Sequence, residues 1–270
     1  MKKLFISGDI EGCCGVTTWD ETYYGHKGYK EACEQYTREV VAACEAAIEA
    51  GWKVVVKDGH EDAMNIEPMD LPEGVELIRG WPSSLSGMMA GLDETFDAVA
   101  YIGYHAAEST GDNPIAHTIE HYLFDWVKLN GELCSEFTLN SLWAAEFGVP
   151  SIFLSGDQGI CDHAKAQYPS IFVAPTKKCK GGATWNKHPL TACKDIKEQM
   201  ALALQSEFVL PEKLDNYEIV MCYKEHQYAR YASQFEGAEL LDSKTVRFSA
   251  KTFMELARGR SFMTGGGRIY

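Results

Sequence analysis

The feature that most constrains this chain is the alternation of short apolar runs with longer stretches of helical periodicity. An apolar run at residues 3–7 leads into a glycine-rich loop, and residues 29–50 then repeat apolar side chains at helical spacing up to Gly51. The β-branched run at 54–56 follows at once and stops at Asp58. Because a helix between two buried strands returns the chain to the same end of a sheet, this order predicts a parallel strand pair.

The same alternation continues over most of the chain. We predict further strands at residues 75–78, 98–104, 126–129, 152–155 and 171–174, and helices at 137–147 and 162–168. This pattern is typical of an α/β fold, a three-layer domain with a mainly parallel sheet. Later in the chain the pattern changes, with strands at 219–223 and 246–250 and helices at 227–235 and from 252 onward. We therefore predict an α/β domain at residues 1–210, a junction at 211–216, and a smaller C-terminal α+β domain at 211–270 that packs on the first or serves assembly.

The charge of the chain argues against one class of partner. The formal net charge is −14, and no run of lysine or arginine offsets it. Such a chain repels a phosphate backbone, so nucleic acid is not expected as a partner.

The first residues carry no apolar signal segment, and no apolar run is long enough to span a bilayer. We therefore expect a cytoplasmic protein that does not bind a membrane.

Polar side chains that can bind metal follow three of the predicted strands. Asp9 and Glu11 follow the first strand, His60 follows the second, and His105 follows the run at 98–104. In open parallel sheets, ligands bind beyond the carboxyl ends of the strands, so these residues are the first candidates for a functional site. Two neighbouring carboxylates need a counter-charge, and a mixed set of Asp, Glu and His suits Zn²⁺ better than Mg²⁺ or Ca²⁺.

Other interpretations compete with a metal site in this first loop. Gly8 and Gly12 permit unusual backbone angles, so both carboxylates can turn toward one point. The alternative is that Asp9 caps a local turn while Glu11 is solvated. A phosphate-binding loop is disfavoured because the segment lacks Gly-Lys-Ser/Thr and the GxGxxG spacing, and because its two acids would repel phosphate.

The cysteines are expected to be structural. There are nine of them, dispersed and without a CxxC pair, which favours reduced thiols that pack as small apolar side chains. Cys13 and Cys14 could supply a thiolate nucleophile, but the local sequence shows neither the positive neighbour nor the base that would activate one.

Spacing alone leaves the roles of four other residues open. His117 and His121 are each either a core histidine or a general acid or base. Glu132 and Glu136 lie on either side of a three-residue segment after a predicted strand. One of the two glutamates caps the following helix while the other faces the site.

Taken together, these motifs resemble the bacterial zinc D-aminopeptidase family. The similar segments are residues 7–12, 58–60, 91–96, 103–106, 116–118 and 135–140. The first of them, Ser-Gly-Asp-Ile-Glu-Gly, looks like the family's opening Ser-x-Asp-x-Glu-Gly and is the most specific. The likeness extends over close to the full chain.

The resemblance implies a site with two Zn²⁺ ions per chain. Asp9 would bridge the two ions. Glu11 and His60 would complete one site, and His105 and Glu136 would complete the other. His117 corresponds to a histidine of the family that lies near the metals and is proposed to take part in catalysis, and it is not one of the ligands.

The resemblance also implies an activity and an assembly. The expected enzyme is a D-aminopeptidase that hydrolyses short peptides or amino-acyl amides, with D-residues, by means of a metal-activated water. The family's fold is an α/β domain with a smaller second domain. Its members can form homo-oligomers, up to a decamer of stacked rings.

Two alternatives to this activity remain. The protein could be a metal-dependent hydrolase of another amide or of a phosphoester, because carboxylate-histidine sites with two metals serve several hydrolyses. It could also be a metal-stabilised assembly module without catalysis.

Three segments depart from the family pattern and leave the substrate open: residues 17–28, which include Trp19, Tyr23, Tyr24 and His26, and residues 107–114 and 178–187.

Overall fold

The computed structural model describes residues 1–208, 210 and 214–265. In chain order, its strands and helices are β1 (Lys3–Gly8), α1 (Tyr29–Glu49), β2 (Lys53–Asp58), β3 (Glu76–Ile78), β4 (Ala98–Tyr104), β5 (Phe124–Leu129), β6 (Glu132–Leu133), α2 (Glu136–Glu146), β7 (Ser151–Asp157), α3 (Gln158–Gln167), β8 (Phe172–Lys180), β9 (Ala183–Asn186), α4 (Pro189–Ala203), β10 (Tyr217–Tyr223), α5 (His226–Ala232), β11 (Ala238–Leu240), β12 (Thr245–Ala250) and α6 (Phe253–Gly265).

A seven-stranded sheet forms the centre of the fold, in the order β3-β2-β1-β4-β7-β8-β9. Neighbouring strands are parallel except β8 and β9, which form an antiparallel hairpin over most of the segment 178–187. Strand β1 lies between β2 and β4, so the chain first adds strands on one side of β1 and later on the other. Such a reversal opens a crevice at the carboxyl ends of the two central strands. The predicted α/β fold with a mainly parallel sheet is confirmed.

Both faces of this sheet are covered, because successive side chains of a strand point to opposite faces. Leu4 and Ile6 of β1 pack against α1 and α4, where they meet residues such as Tyr36. Phe5 belongs to the cluster on the other face, which includes residues of α2, α3 and a second sheet. Strands that are buried on both faces read as continuous apolar runs, which is why the sequence predicts them well.

The second sheet is antiparallel and has the order β11-β12-β10-β5-β6. Strand β5 comes from the middle of the chain and pairs with β10, for example through Val127 and Met221. The strand predicted at 126–129 therefore exists, but it does not join the mainly parallel sheet. Three of the six residues of β5 are only half-buried, as expected of an antiparallel strand with one face in the core.

Some predicted bounds change in the structure. The predicted junction at 211–216 lies partly outside the described residues, and the division at residue 210 stays a prediction. The helix predicted at 162–168 begins earlier, at Gln158, because Asp157 accepts a hydrogen bond from the N–H of Ile160 and caps its first turn. Among the described residues, no helix is long and apolar enough to cross a membrane.

Candidate metal centre

The carboxyl ends of β1, β2 and β4 bring four of the predicted residues together. His60 follows β2, and its Nδ1 lies 3.1 Å from Oε1 of Glu11 and 3.5 Å from Oδ1 of Asp9. His105 follows β4, and its Nε2 lies 3.4 Å from Oδ2 of Asp9. The two carboxylate oxygens of Asp9 therefore face different histidines, so its carboxylate lies between them.

Glycines allow the loop after β1 to approach the end of β4. A Cβ at Gly12 would lie 1.7 Å from the carbonyl oxygen of Tyr104, and one at Gly103 would lie 2.1 Å from the carbonyl oxygen of Asp9. Gly103 has a φ of +73°, whereas neither Gly8 nor Gly12 has a positive φ. Gly8 and Gly12 therefore do not use the positive φ that glycine permits. Position 12 requires glycine because the backbone of Tyr104 leaves no space for a side chain there.

The fifth candidate ligand comes from the start of α2. Ser135 caps this helix by accepting a hydrogen bond from the N–H of Thr138, which leaves Glu136 in the first turn with its carboxylate directed at the site. Oε1 of Glu136 lies 3.7 Å from Nε2 of His105 and 3.6 Å from Nε2 of His117. Glu136 is buried whereas Glu132 is exposed, so the geometry selects Glu136.

Backbone carbonyls fix the ring nitrogen that each histidine presents to the acids. Nε2 of His60 donates to the carbonyl oxygen of Thr22 at 2.8 Å, and Nδ1 of His105 donates to that of Ala106 at 3.0 Å. Nδ1 of His117 donates to a carbonyl oxygen in the same way, at 3.1 Å. Because a carbonyl oxygen can only accept, the bonded nitrogen carries the proton. The other nitrogen of each ring faces the carboxylates, and it offers a lone pair to a metal ion once it is deprotonated.

Several buried polar atoms of the centre have no partner. Within the described part of the chain, Oδ2 of Asp9, Oε2 of Glu11 and Nε2 of His105 make no hydrogen bond. Leaving such groups unpaired in the interior costs about 1–3 kcal/mol each, and more when they are charged. Carboxylate oxygens and imidazole nitrogens are ligands that Zn²⁺ accepts. These residues therefore fit a bound metal ion, which would supply the missing partners.

Two groups of three residues could each hold an ion. Asp9, Glu11 and His105 form one group, and His105, His117 and Glu136 form the other. Within each group the candidate ligand atoms all lie within 4.8 Å of one another. The structure thus brings all six predicted site residues together, and it places His117 as close to a carboxylate as it places the predicted ligands.

Burial and crowding shift the pKa values of these groups in different directions. Burial, followed by the charge of Glu11, raises the pKa of Asp9 well above its ordinary value, and burial raises that of Glu136. Burial opposes protonation of His105, but Glu136 and Asp9 outweigh it and raise the pKa of His105 to about 9. Burial and the neighbouring His105 lower the pKa of His117 to about 3, so its ring is neutral. Without a metal ion the centre therefore retains protons that a divalent cation would displace.

A buried network that the sequence did not reveal supports the loop after β1. Nζ of Lys177 and Nδ2 of Asn113 both donate to the carbonyl oxygen of Glu11, at 2.6 Å and 3.1 Å. Asn113 also donates to Oδ2 of Asp157 at 2.9 Å, and the same oxygen accepts the N–H of Ala106, next to His105. One signal in the sequence could have indicated Asp157, because its Ser-Gly-Asp segment at 155–157 repeats the Ser-Gly-Asp at 7–9.

The cysteines of the loop do not suit a nucleophile. Cys13 and Cys14 are buried. Burial, followed by the charge of Glu39, raises the pKa of Cys13 well above its ordinary value and that of Cys14 to about 12. Both thiols therefore stay protonated at neutral pH, in agreement with the structural role that we expected.

Comparison with known proteins identifies the family. A family model described as D-aminopeptidase matches residues 1–262 of the chain. The chain belongs to the D-aminopeptidase family. A D-aminopeptidase of Bacillus subtilis (strain 168) is 27% identical to it over 273 residues, which cover 97% of this chain and 96% of the relative.

A solved structure of the same family has the same fold. The Zn-dependent D-aminopeptidase DppA from Bacillus subtilis, a self-compartmentalizing protease, superposes with a TM-score of 0.91 at 25% identity and covers 98% of each chain. The predicted D-aminopeptidase family, the α/β fold and the assignment as a hydrolase are thereby confirmed. The role of each residue within the metal centre stays a prediction.

Proposed function

We propose that this member of the D-aminopeptidase family is a zinc enzyme with two zinc ions per chain. It hydrolyses short peptides or amino-acyl amides at an N-terminal D-residue. The observation that carries this proposal is the buried set of unpartnered ligand atoms on Asp9, Glu11 and His105. The zinc dependence of the DppA structure supports the choice of metal.

The candidate ligands would divide between the two ions around Asp9. Its two oxygens face His60 and His105, so a bridging role agrees with the distances on either side. Glu11 and His60 would complete one site, and His105 and Glu136 would complete the other. When bound, the two ions supply a water of lowered pKa and polarise the scissile carbonyl.

His117 serves as the proton carrier of the reaction. Its ring is neutral, its Nδ1 is held by a carbonyl oxygen, and its Nε2 faces Glu136 at the centre. A nitrogen lone pair held in this way can take up the proton that the attacking water gives up and deliver it to the departing amine nitrogen. The carboxylates of Asp9, Glu11 and Glu136 also make the site attractive to a free substrate ammonium group, which favours an aminopeptidase.

We also propose that the enzyme works as a cytoplasmic homo-oligomer, as a decamer of stacked rings. The support is the likeness to DppA, which is a self-compartmentalizing protease. Large apolar side chains are exposed in the single chain, among them Met69 and Trp185, and could be covered by a second copy.

Metal content and turnover test the proposal together. Elemental analysis of untreated protein should find about two zinc ions per chain. Hydrolysis of short D-aminoacyl amides should disappear after chelation and return when zinc is added. L-aminoacyl amides and a panel of phosphoesters serve as comparison substrates. Full activity in metal-free protein, or turnover of phosphoesters in place of amides, would overturn the proposal.

A further inference from the structure

A cluster of aromatic rings lies at the rim of the metal centre. We call Trp19, Tyr23 and His121 the aromatic wall. All three side chains are half-buried, whereas the metal-ligand candidates and His117 are buried. Trp19 and Tyr23 belong to the segment 17–28, which departs from the family pattern and has no part in the proposed chemistry.

The wall is held in place by a contact with the metal centre itself. Trp19 and Thr22 are the ends of a short 3-10 helix, and Glu21 within it accepts hydrogen bonds from the N–H groups of Thr17 and Thr18 at 2.8 Å each. The carbonyl oxygen of Thr22 accepts the hydrogen bond from Nε2 of His60 at 2.8 Å. The position of Trp19 is therefore tied to that of a proposed zinc ligand.

Two rings of the wall, those of Trp19 and His121, lie beside His117, and the rings of the wall contact one another. Trp19 meets His117 edge-on, with 5.3 Å between ring centroids, and lies 4.1 Å from the ring of His121. The hydroxyl of Tyr23 lies 2.6 Å from Nε2 of His121 and holds that ring. The ring of His117 also stacks on the ring of His105, with 4.2 Å between ring centroids. His117 is thus bounded by a proposed zinc ligand and by the wall.

We propose that the aromatic wall is the subsite for the residue that follows the scissile bond, and that it favours an aromatic or large apolar side chain there. The inference rests on the proposed function, in which His117 delivers a proton to the departing amine nitrogen. The atoms beyond that nitrogen then lie on the side of His117 where Trp19 and His121 present half-exposed rings. Aromatic rings bind aromatic and apolar groups through buried area and edge or stacked contacts.

Two dipeptides with the same first residue test this subsite. D-alanyl-phenylalanine places a ring against the wall, whereas D-alanyl-glycine places no side chain there. The intact zinc enzyme should have a higher kcat/KM for the phenylalanine dipeptide. In Trp19→Ala, this kcat/KM should fall about tenfold, mainly through KM, while that for the glycine dipeptide should change less than about twofold. Tyr24→Ala is the matched control, because Tyr24 lies on the same segment with its ring exposed.

The outcomes separate the subsite from a structural role and from the proposed function. An equal loss on both dipeptides in Trp19→Ala would mean that Trp19 only holds His117, which overturns the subsite. Equal kcat/KM values for the two dipeptides in the unaltered enzyme would also overturn it. If the unaltered zinc enzyme cleaves neither dipeptide nor any aminoacyl amide, the proposed function itself fails. Zinc content and circular dichroism check each variant, and Trp19→Leu replaces Trp19→Ala if the latter does not fold.

Discussion

The ammonium group of Lys177 lies 2.6 Å from the carbonyl oxygen of Glu11, and both residues are buried. Because Asn113 donates to the same oxygen, both of its lone pairs are occupied. Lys177 also donates to the carbonyl oxygen of Val16. These bonds hold the start and the end of the loop that carries Glu11, so Lys177 positions a proposed ligand without touching the metal site.

Lys177→Met should therefore weaken both the fold and the zinc site. Methionine retains the apolar stem but leaves the carbonyl oxygen of Val16 without this donor, which should lower the free energy of unfolding by about 1–3 kcal/mol. Zinc affinity should fall about 10–100-fold, as is usual when a group that supports a ligand is lost. Denaturant unfolding and zinc titration measure the two effects. Lys178→Met, at the exposed next residue of β8, is the control. Equal changes in unfolding free energy and zinc affinity in the two variants would contradict the positioning role of Lys177.

Asp9→Ala and Glu11→Ala should differ in the zinc that they retain. Asp9 lies between His60 and His105, whereas Glu11 lies beside His60 alone among the ion-pair contacts of the described residues. We expect Asp9→Ala to lose zinc from both sites and Glu11→Ala to lose it chiefly from one. Elemental analysis after dialysis gives the number of ions per chain. Retention of both ions by Asp9→Ala would rule out the bridging role.

His117→Gln should separate catalysis from metal binding. The substitution removes Nε2, the nitrogen that would transfer the proton to the departing amine. The value of kcat should therefore fall about 10²–10⁴-fold. Zinc content and oligomer size should stay at the values of the unaltered protein. Because Nε2 of His117 lies 3.6 Å from Oε1 of Glu136, loss of one zinc ion would instead identify His117 as a ligand. Unchanged turnover would rule out His117 as the proton carrier, and absence of turnover in the unaltered protein would support an assembly module.

Glu39→Gln should stabilise the protein at neutral and higher pH. Glu39 is fully buried, Oε1 accepts the N–H of Cys14 at 2.8 Å, and Oε2 has no partner among the described residues. Burial raises the pKa of Glu39 above its ordinary value of 4.5. The folded protein thus holds this proton more strongly than the unfolded chain does, and the resulting stability is lost as the pH rises above 4.5. Glutamine keeps an oxygen for Cys14 and cannot ionise.

The expected rise in Tm is about 3 °C at pH 8, which corresponds to about 1 kcal/mol in a chain of this size. The difference should shrink toward zero near pH 4.5. Calorimetry of the zinc-loaded proteins at several pH values measures it, with Glu31→Gln at an exposed position of the same helix as the control. A pH-independent difference would show that Glu39 does not ionise in this range.

Local sequence determined most strands of the main sheet, though not β9, and most of the candidate centre. Strands buried on both faces are continuous apolar runs, and the polar residues that end them, such as Asp9, His60 and His105, stand out against those runs. The choice of Glu136 and the role of His117 came from resemblance, because helix capping and the direction of a side chain do not follow from spacing.

Only the tertiary structure decided which distant segments meet. Strand β5 pairs with β10, Lys177 reaches Glu11, and Tyr23 reaches His121 across long separations in the chain. A half-buried strand or a lysine within a strand looks the same in sequence whichever partner it finds, because pairing depends on how the packed layers bring the surfaces together. The sequence by itself therefore determined the type of site and its metal-binding side chains, while the fold decided what supports them and what lines the rim.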